Sequence, residues 1–121
     1  MPGLANLHEP QFLIISEYRT IIHFYNKDNT EGYDHRVLSY VRWSNNEKII
    51  VLTNFDEYKS YSFELKIPED IIAKWQLKSG TYSLTEQLYQ EINANMVVNN
   101  GQGKILLDLA PLQSYIFKVD E

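Results

Sequence analysis

After Tyr33 the sequence alternates apolar and polar residues in short runs, and polar turns separate these runs. The clearest example is residues 60–67, where two aromatic and two aliphatic side chains occupy every second position. A period of two is typical of a β-strand that buries one face. The unbroken apolar run at 49–52 instead predicts a central strand that is covered on both faces. The pattern predicts strands at 37–43, 48–55 and 60–67, strands beginning at Tyr82 and Met96, and strands at 105–109 and 115–119.

Two connections between these strands carry clear local signals. Pro68-Glu69-Asp70 predicts a short helix toward Trp75, because proline suits the first turn and acidic side chains favour the positive end of the helix dipole. Residues 99–103 contain Asn-Gly, which predicts a hairpin turn since both residues tolerate the positive φ that such turns require.

The first 33 residues have a different character. Pro10 suits the first turn of a helix that we predict from Glu9 to about Tyr18. Residues 20–25 fit either a continuation of this helix or a strand, because they follow a helical spacing but are β-branched and aromatic. Residues 26–32 are polar and end in glycine, which predicts a linker or loop.

Together these elements predict an all-β fold. Seven or so short strands, with turns about every eight to twelve residues, are typical of an antiparallel sandwich or barrel. We therefore expect an antiparallel β-sandwich at residues 34–121, preceded by a short N-terminal helical segment within residues 1–33.

Composition and charge exclude several classes of protein. The chain has 121 residues, the length of a single domain. Eleven basic and sixteen acidic side chains leave a formal charge of -5, which disfavours nucleic acid and anionic membranes as partners. The absence of cysteine excludes disulfides and thiolate metal sites. The longest apolar runs are far shorter than the roughly twenty residues of a membrane span, and residues 1–6 lack the features of a signal peptide.

The sequence contains no catalytic or metal-binding pattern. His8, His23 and His35 are not spaced as ligands on a zinc-binding helix. Three pairs of neighbouring carboxyl groups are better explained as a strand end, a helix start and the chain end: Asp56 and Glu57, Glu69 and Asp70, and Asp120 and Glu121. We therefore predict no catalytic residue, no metal and no cofactor, which disfavours a standalone enzyme.

Aromatic side chains carry the remaining binding signal. Trp43 and Trp75 lie at strand ends or in loops, where a flat ring could stack on a sugar, and they are the candidate carbohydrate-binding residues. The alternative is that both rings cover the edge of the core. Buried rings would indicate a scaffold, whereas coplanar, exposed rings would indicate sugar binding.

Three segments in order resemble a known module. They are residues 37–42, residues 48–56 with the ending Asn54-Phe55-Asp56, and residues 101–117, where Pro111 precedes a closing Tyr115-Ile116-Phe117. Over residues 34–121 this order is similar to the C-terminal all-β domain of glycoside hydrolase family 13, the α-amylase family. Residues 9–33 more loosely resemble the end of the catalytic barrel and its linker. The predicted helix at 71–75 departs from the pattern, since many relatives have a loop there.

The resemblance implies a role in a larger enzyme. In the family the catalytic carboxyl groups lie on a barrel, which would be encoded upstream of Met1, so no catalytic residue is carried over. The resemblance implies a non-catalytic accessory domain that stabilises or shields the barrel of a retaining α-glycosidase, an enzyme of α-glucan or starch degradation. Any targeting signal would also lie upstream, and the compartment is not predicted.

Two further hypotheses concern partners. The alternative function is an independent carbohydrate-binding module, in which Trp43 and Trp75 form a platform for α-glucans. Residues 12–25 would be apolar on more than one face of a helix, which indicates a missing partner. In the larger enzyme the barrel would be that partner. Without it we expect a homodimer through this segment, or poor order, while the sandwich from about Tyr33 folds alone.

Overall fold

In the part of the chain that the structure describes, the fold is an antiparallel sheet of seven strands that carries two short helices. The computed structural model describes residues 22–44, 47–89 and 92–121. The strands are β1 (Val37–Trp43), β2 (Lys48–Asn54), β3 (Tyr61–Ile67), β4 (Gly80–Glu86), β5 (Asn93–Asn99), β6 (Gln102–Leu109) and β7 (Ser114–Val119). Helix α1 covers residues 22–29 in the described part of the chain, and helix α2 spans Glu69–Trp75. The predicted all-β, antiparallel class with about seven strands is confirmed.

Strand β2 lies inside the sheet, as its apolar run predicted. The strand order is β1-β2-β7-β4-β5-β6-β3, so β2 pairs with β1 on one side and with β7 on the other. Residues 49–52 are all buried. The prediction of a central strand is therefore confirmed.

The turn between β5 and β6 is the predicted Asn-Gly hairpin. Asn99 pairs with Gln102, so the loop consists of Asn100 and Gly101, with φ angles of 53° and 80°. Positive φ at both positions is characteristic of a type I′ turn, whose twist matches that of the flanking strands. The turn thereby sets the register that places alternate residues of both strands in the core.

Helix α2 packs against β6, and a glycine permits the close approach. Ile72 and Trp75 are buried on the inner side of the helix. A Cβ atom on Gly103 would lie 3.2 Å from Ile72 Cδ1, closer than about nine in ten real contacts of this kind. The helix ends at Trp75, and the C-cap residue Gln76 has a left-handed φ of 57°. The helix that was predicted toward Trp75 is confirmed.

Helix α1 resolves one ambiguity and corrects one prediction. Residues 22–25 are helical rather than extended, and the helix continues to Asn29, so the predicted loop at 26–32 is wrong for its first four residues. The loop prediction relied on polarity and on Gly32, and polarity does not distinguish an exposed polar residue from one that is buried and hydrogen-bonded. The helix predicted from Glu9 to Tyr18 lies outside the described residues.

Asn26 joins α1 to the edge strand β3. Its Nδ2 donates to Ile22 O and to Lys66 O, both at 2.9 Å. Its Oδ1 accepts from Lys66 N at 2.8 Å and from Thr30 Oγ1 at 2.7 Å. An asparagine amide offers two donors and two acceptor positions, so this fully buried side chain is satisfied. The backbone of Lys66 therefore bonds to α1, and α1 covers this part of the β3 edge.

The edge strands β1 and β3 are connected by side chains. Six antiparallel ladders join the seven strands in one row, so β1 and β3 run in the same direction, and no ladder pairs them within the described residues. Tyr33 Oη lies 2.7 Å from Ser39 Oγ on β1, and the Tyr33 ring packs edge-on against Phe63 on β3, at a centroid distance of 5.1 Å. Trp43, at the end of β1, meets Trp75 on α2. We call this line of side-chain contacts along the edges of β1 and β3, from Tyr33 to the Trp43–Trp75 pair, the seam.

Residues 22–33 thus contact both edges of the sheet. Ile22 is fully buried, whereas Phe24 is 51% exposed. The domain boundary at residue 33 stays a prediction. Self-association through residues 12–25 also stays a prediction, since the structure describes only residues 22–25 of that segment.

Deleting residues 1–33 should lower the thermal unfolding midpoint more than deleting residues 1–21. Only the longer deletion removes Ile22, Asn26 and Tyr33. Burial of one large aliphatic side chain contributes about 1.5–3 kcal/mol, and each hydrogen bond contributes about 0.5–1.5 kcal/mol. Each kcal/mol corresponds to about 4–8 °C in a domain of this size, so circular dichroism should detect a difference of more than about 10 °C.

Phe24→Ser is the matched control, because it changes the exposed side of α1, and it should alter stability by no more than about 0.5 kcal/mol. Equal midpoints for the two deletions would instead support the boundary at residue 33. Sedimentation of the same proteins tests the homodimer, which should disappear when residues 1–21 are removed.

Candidate functional site

The two candidate sugar-binding residues lie together but do not form a flat platform. Trp75 is 3% exposed, and Trp43 is partly buried. Their ring centroids are 6.1 Å apart, and the ring planes meet at 80°. A sugar stacks on an exposed ring face, so a buried ring and a perpendicular pair favour a scaffold role. Sugar binding at these residues stays a prediction.

Trp43 nevertheless borders a small cavity. The cavity has a volume of about 230 Å³, and its lining comprises Arg42, Trp43, Ser44, Glu47 and Ile49. The guanidinium of Arg42, the hydroxyl of Ser44 and the carboxylate of Glu47 therefore line the same cavity as the indole of Trp43. Of the two tryptophans, Trp43 is the one that lines this cavity among the described residues.

Asp56 organises the loop that leads from β2 to β3. Its Oδ1 accepts from the backbone N–H of Tyr58 at 2.9 Å and of Lys59 at 3.1 Å. Its Oδ2 accepts from the Tyr61 hydroxyl at 2.7 Å and from Arg36 Nη1 at 3.3 Å. The Tyr58 N–H above all, and then the Tyr61 hydroxyl, lower the pKa of Asp56 from 3.8 to about 2. This carboxylate is ionised and engaged, which suits a structural role and does not suit a general acid.

Asn54 connects the same loop to the loop between β6 and β7. It is fully buried, and its Nδ2 donates to Lys59 O at 2.9 Å and to Ala110 O at 3.0 Å. Its Oδ1 accepts from Asp56 N at 2.8 Å. Asn54 and Asp56 therefore hold two surface loops as one rigid unit.

These loops expose three large apolar side chains at one end of the sheet. Phe55 is 59% exposed, Tyr58 is 89% exposed and Leu112 is 61% exposed. Hydrogen bonds hold the backbone, with Phe55 N donating to Arg36 O at 2.8 Å and Leu112 N donating to Asp56 O at 3.1 Å. We call Phe55, Tyr58 and Leu112 the apolar end patch. Sequence analysis did not identify it, although Asn54-Phe55 belongs to the resembling segments.

Glu86 is a buried carboxyl that sequence analysis also missed. It is fully buried at the end of β4, where it accepts from Ile116 N at 2.8 Å and from Tyr89 N. These bonds fix the chain that leaves β4 against β7. The available signal was its position two residues after the buried Leu84, which places both side chains on the same face of the strand.

The histidines do not form a common site in the described residues. His23 Nδ1 lies 3.0 Å from the hydroxyl of Tyr33, and burial lowers the pKa of His23. His35 Nδ1 lies 3.1 Å from the carboxylate of Asp34 at an exposed position just before β1. His8 lies outside the described residues.

The remaining predicted carboxyl pairs have local roles. The acidic pair at the start of α2 is exposed in the first helical turn. Asp120 accepts from Thr85 Oγ1 at 2.6 Å, and Glu121 forms an ion pair with Lys48. Over residues 22–44, 47–89 and 92–121, no three His, Cys, Asp or Glu side chains are grouped as metal ligands. No helix in those ranges is long and apolar enough to cross a membrane.

A second surface cavity lies on the outer face of β3, β5 and β6. Its volume is about 530 Å³, and its lining comprises Glu64, Asn93, Ala94, Asn95, Val97, Lys104 and Leu106. Leu106 is 78% exposed there. Like the apolar end patch, this face exposes large apolar side chains.

One family of proteins matches most of the chain. The family model described as "Alpha amylase, C-terminal all-beta domain" matches residues 28–120. The matched range contains all seven strands and α2. Comparisons with curated proteins and with solved structures found no match.

Acidification should remove the contribution of Asp56 to stability. The pKa is about 2 in the folded chain, below the ordinary 3.8, so the contribution is present above about pH 3.8 and is lost as the pH falls toward 2. Asp56→Asn should therefore unfold at a lower temperature than the unmodified chain at pH 7, and the two midpoints should converge near pH 2. Thermal unfolding between pH 2 and pH 7, at pH steps of about half a unit, measures this.

Glu57→Gln is the control, because it removes one negative charge from the exposed neighbour of Asp56. Its midpoint should follow that of the unmodified chain. A constant difference between Asp56→Asn and the unmodified chain over the whole pH range would show that the ionised form is not what stabilises the loop.

Proposed function

Because this chain belongs to the family of C-terminal all-β domains of α-amylases, we propose that it stabilises and shields the catalytic barrel of a retaining α-glycosidase that acts on α-glucans. Domains of this family are non-catalytic accessory parts of glycoside hydrolase family 13 enzymes. The observation that carries the proposal is the family match over all seven strands.

The use of the buried carboxyl groups supports a non-catalytic role. A glycoside hydrolase needs two carboxyl groups across one cleft, and one of them serves as an acid with a raised pKa. The pKa of Asp56 is lowered, and its oxygens accept bonds from the loop that it organises. Glu86 accepts from two backbone N–H groups. Both side chains therefore serve the fold.

Stabilisation of a barrel has a simple physical basis. Two domains of one polypeptide that bury apolar surface against each other gain about 25 cal/mol for each Å² removed from water. Interfaces between domains of one chain typically bury about 600–1,500 Å². A rigid domain that covers one side of the barrel therefore raises the free energy needed to unfold it.

The cavity beside Trp43 supports the alternative function. Arg42, Ser44 and Glu47 could bond sugar hydroxyl groups there, while the accessible part of Trp43 contacts the ring. An independent carbohydrate-binding module would use this site, and it is the second candidate.

The chain alone should release no reducing sugar from starch or maltooligosaccharides, because the catalytic carboxyl groups would lie on a barrel encoded upstream. The same assay on the polypeptide that includes the upstream reading frame should show hydrolysis. Activity of the chain alone that an Asp or Glu substitution abolishes would contradict the non-catalytic role. An upstream reading frame without a barrel would overturn the proposed partner.

If the domain is a scaffold, titration with maltoheptaose should move few amide resonances of the chain. Trp75→Ala should lower the free energy of unfolding by about 3–5 kcal/mol, because it leaves a cavity at a buried position. Trp43→Ala is the comparison, since Trp43 is partly exposed and should cost less. Saturable shifts around Trp43 that Trp43→Ala removes from a folded protein would favour the carbohydrate-binding module.

A further inference from the structure

The turn between β5 and β6 exposes a chemically reactive pair of residues. Asn100 and Gly101 are both exposed, and Asn100 is the only asparagine in the sequence that a glycine follows. Asn99 pairs with Gln102, so the ladder between the two strands ends before the turn. The side chain of Asn100 and the backbone nitrogen of Gly101 therefore lie outside the ladder.

The reactivity of this pair follows from its covalent geometry. The backbone nitrogen of Gly101 and the side-chain carbon Cγ of Asn100 can close a succinimide ring. Ring closure turns the peptide plane between the two residues, and glycine tolerates this because its backbone is permissive. Glycine also has no Cβ atom that would hinder the approach of the two atoms.

The reaction needs only water as a co-reactant. The Gly101 nitrogen loses its proton and attacks Cγ of Asn100, so that an N–Cγ bond forms and the Cγ–Nδ2 bond breaks. The Nδ2 group takes up a proton and leaves as ammonia. Water then opens the ring at one of its two carbonyl carbons. Attack at Cγ gives aspartate, whereas attack at the backbone carbonyl carbon gives isoaspartate, in which the main chain continues through Cγ.

The two products differ in their effect on the turn. Aspartate leaves the main chain at its original length, and aspartate followed by glycine also suits a type I′ turn. Isoaspartate instead adds one methylene group to the main chain between residues 100 and 101. The twist of a two-residue turn must match that of its strands, so the longer main chain strains the hairpin.

The packing next to the turn leaves little room for such a change. Val98 pairs with Gly103, and both residues are buried. A Cβ atom on Gly103 would lie 2.9 Å from Met96 Sδ and 3.2 Å from Ile72 Cδ1. The backbone of β6 is therefore packed tightly against the core and α2, and a shift that begins in the turn disturbs both contacts.

We propose that Asn100 is a site of spontaneous deamidation and that the isoaspartyl product loosens the hairpin of β5 and β6. The modification gives the domain a chemical lifetime that is set at one turn. Either product adds a negative charge to a chain whose formal charge is already -5. The inference does not depend on the proposed function, because it concerns the chain by itself.

Incubation of the purified chain below its unfolding midpoint, in mildly acidic and in mildly alkaline buffer, tests the site. Mass spectrometry of proteolytic peptides should show loss of the amide at Asn100. The loss should be faster in the alkaline buffer, because the Gly101 nitrogen must lose a proton. The exposed Asn93 and Asn95 are internal controls, since they lie within the ladder of β4 and β5 and no glycine follows them. They should keep their amides while Asn100 is converted.

Two variants connect the modification to stability. Fresh Asn100→Asp supplies the aspartyl product directly. The isoaspartyl fraction, separated by chromatography, should unfold roughly 4–8 °C below this variant, the shift that modest backbone strain causes in a domain of this length. Asn100→Gly keeps a sequence that suits the turn but has no amide to lose. Its unfolding midpoint should stay constant during an incubation that lowers the midpoint of the unmodified chain.

Three results would overturn the proposal. If Asn100 keeps its amide in the folded chain and loses it only in urea, the folded turn protects the pair. If the isoaspartyl fraction and fresh Asn100→Asp unfold at the same midpoint, the modification does not loosen the hairpin. If Asn100→Gly loses stability as fast as the unmodified chain, a reaction elsewhere in the chain limits its lifetime.

Discussion

The rest of the fold depends on how the seam between β1 and β3 is held. The two strands are at opposite ends of the strand order, so the sheet must curl to enclose its apolar face. Tyr33 holds the middle of the seam through Ser39 and Phe63. Burial raises the pKa of Tyr33 to about 12, so its hydroxyl keeps its proton at any physiological pH. Asp56 holds one end, where it accepts from the chain before β1 and from the first residue of β3.

The seam also gives several conspicuous polar and aromatic residues a structural role. Asp56 is saturated with donors, and Trp75 is buried against Trp43 at the other end of the seam. Two fully buried asparagines, Asn26 and Asn54, each link segments that are distant in sequence. These four side chains help to close the curled sheet, which agrees with an accessory domain.

The strands could be predicted from the sequence because their information is local. A period of two, an Asn-Gly pair and a proline followed by two acids each act within a few residues, and the structure confirms the elements that they predict. Helix α1 was harder to predict, since Asn26 bonds to Lys66, forty positions away in the sequence. Glu86 was missed for a similar reason, because its partner Ile116 lies on another strand. The apolar end patch forms where the loop between β2 and β3 contacts the loop between β6 and β7. A contact between segments so far apart in sequence cannot be predicted from a local pattern.

The bonds between Asn26 and Lys66 also cover part of the edge strand β3. An uncovered edge strand presents a row of unpaired N–H and C=O groups, to which a strand of another molecule can add. In β3 one side-chain amide occupies both backbone groups of Lys66, and the adjoining loop brings Gly32 so close to Ser62 that a Cβ atom there would collide with Ser62 O. Residues 22–33 therefore hinder β3 from pairing with the same strand of another molecule. A version of the domain that begins at β1 would expose that edge to intermolecular β-sheet formation, so trimming at this end carries a risk of aggregation as well as a loss of stability.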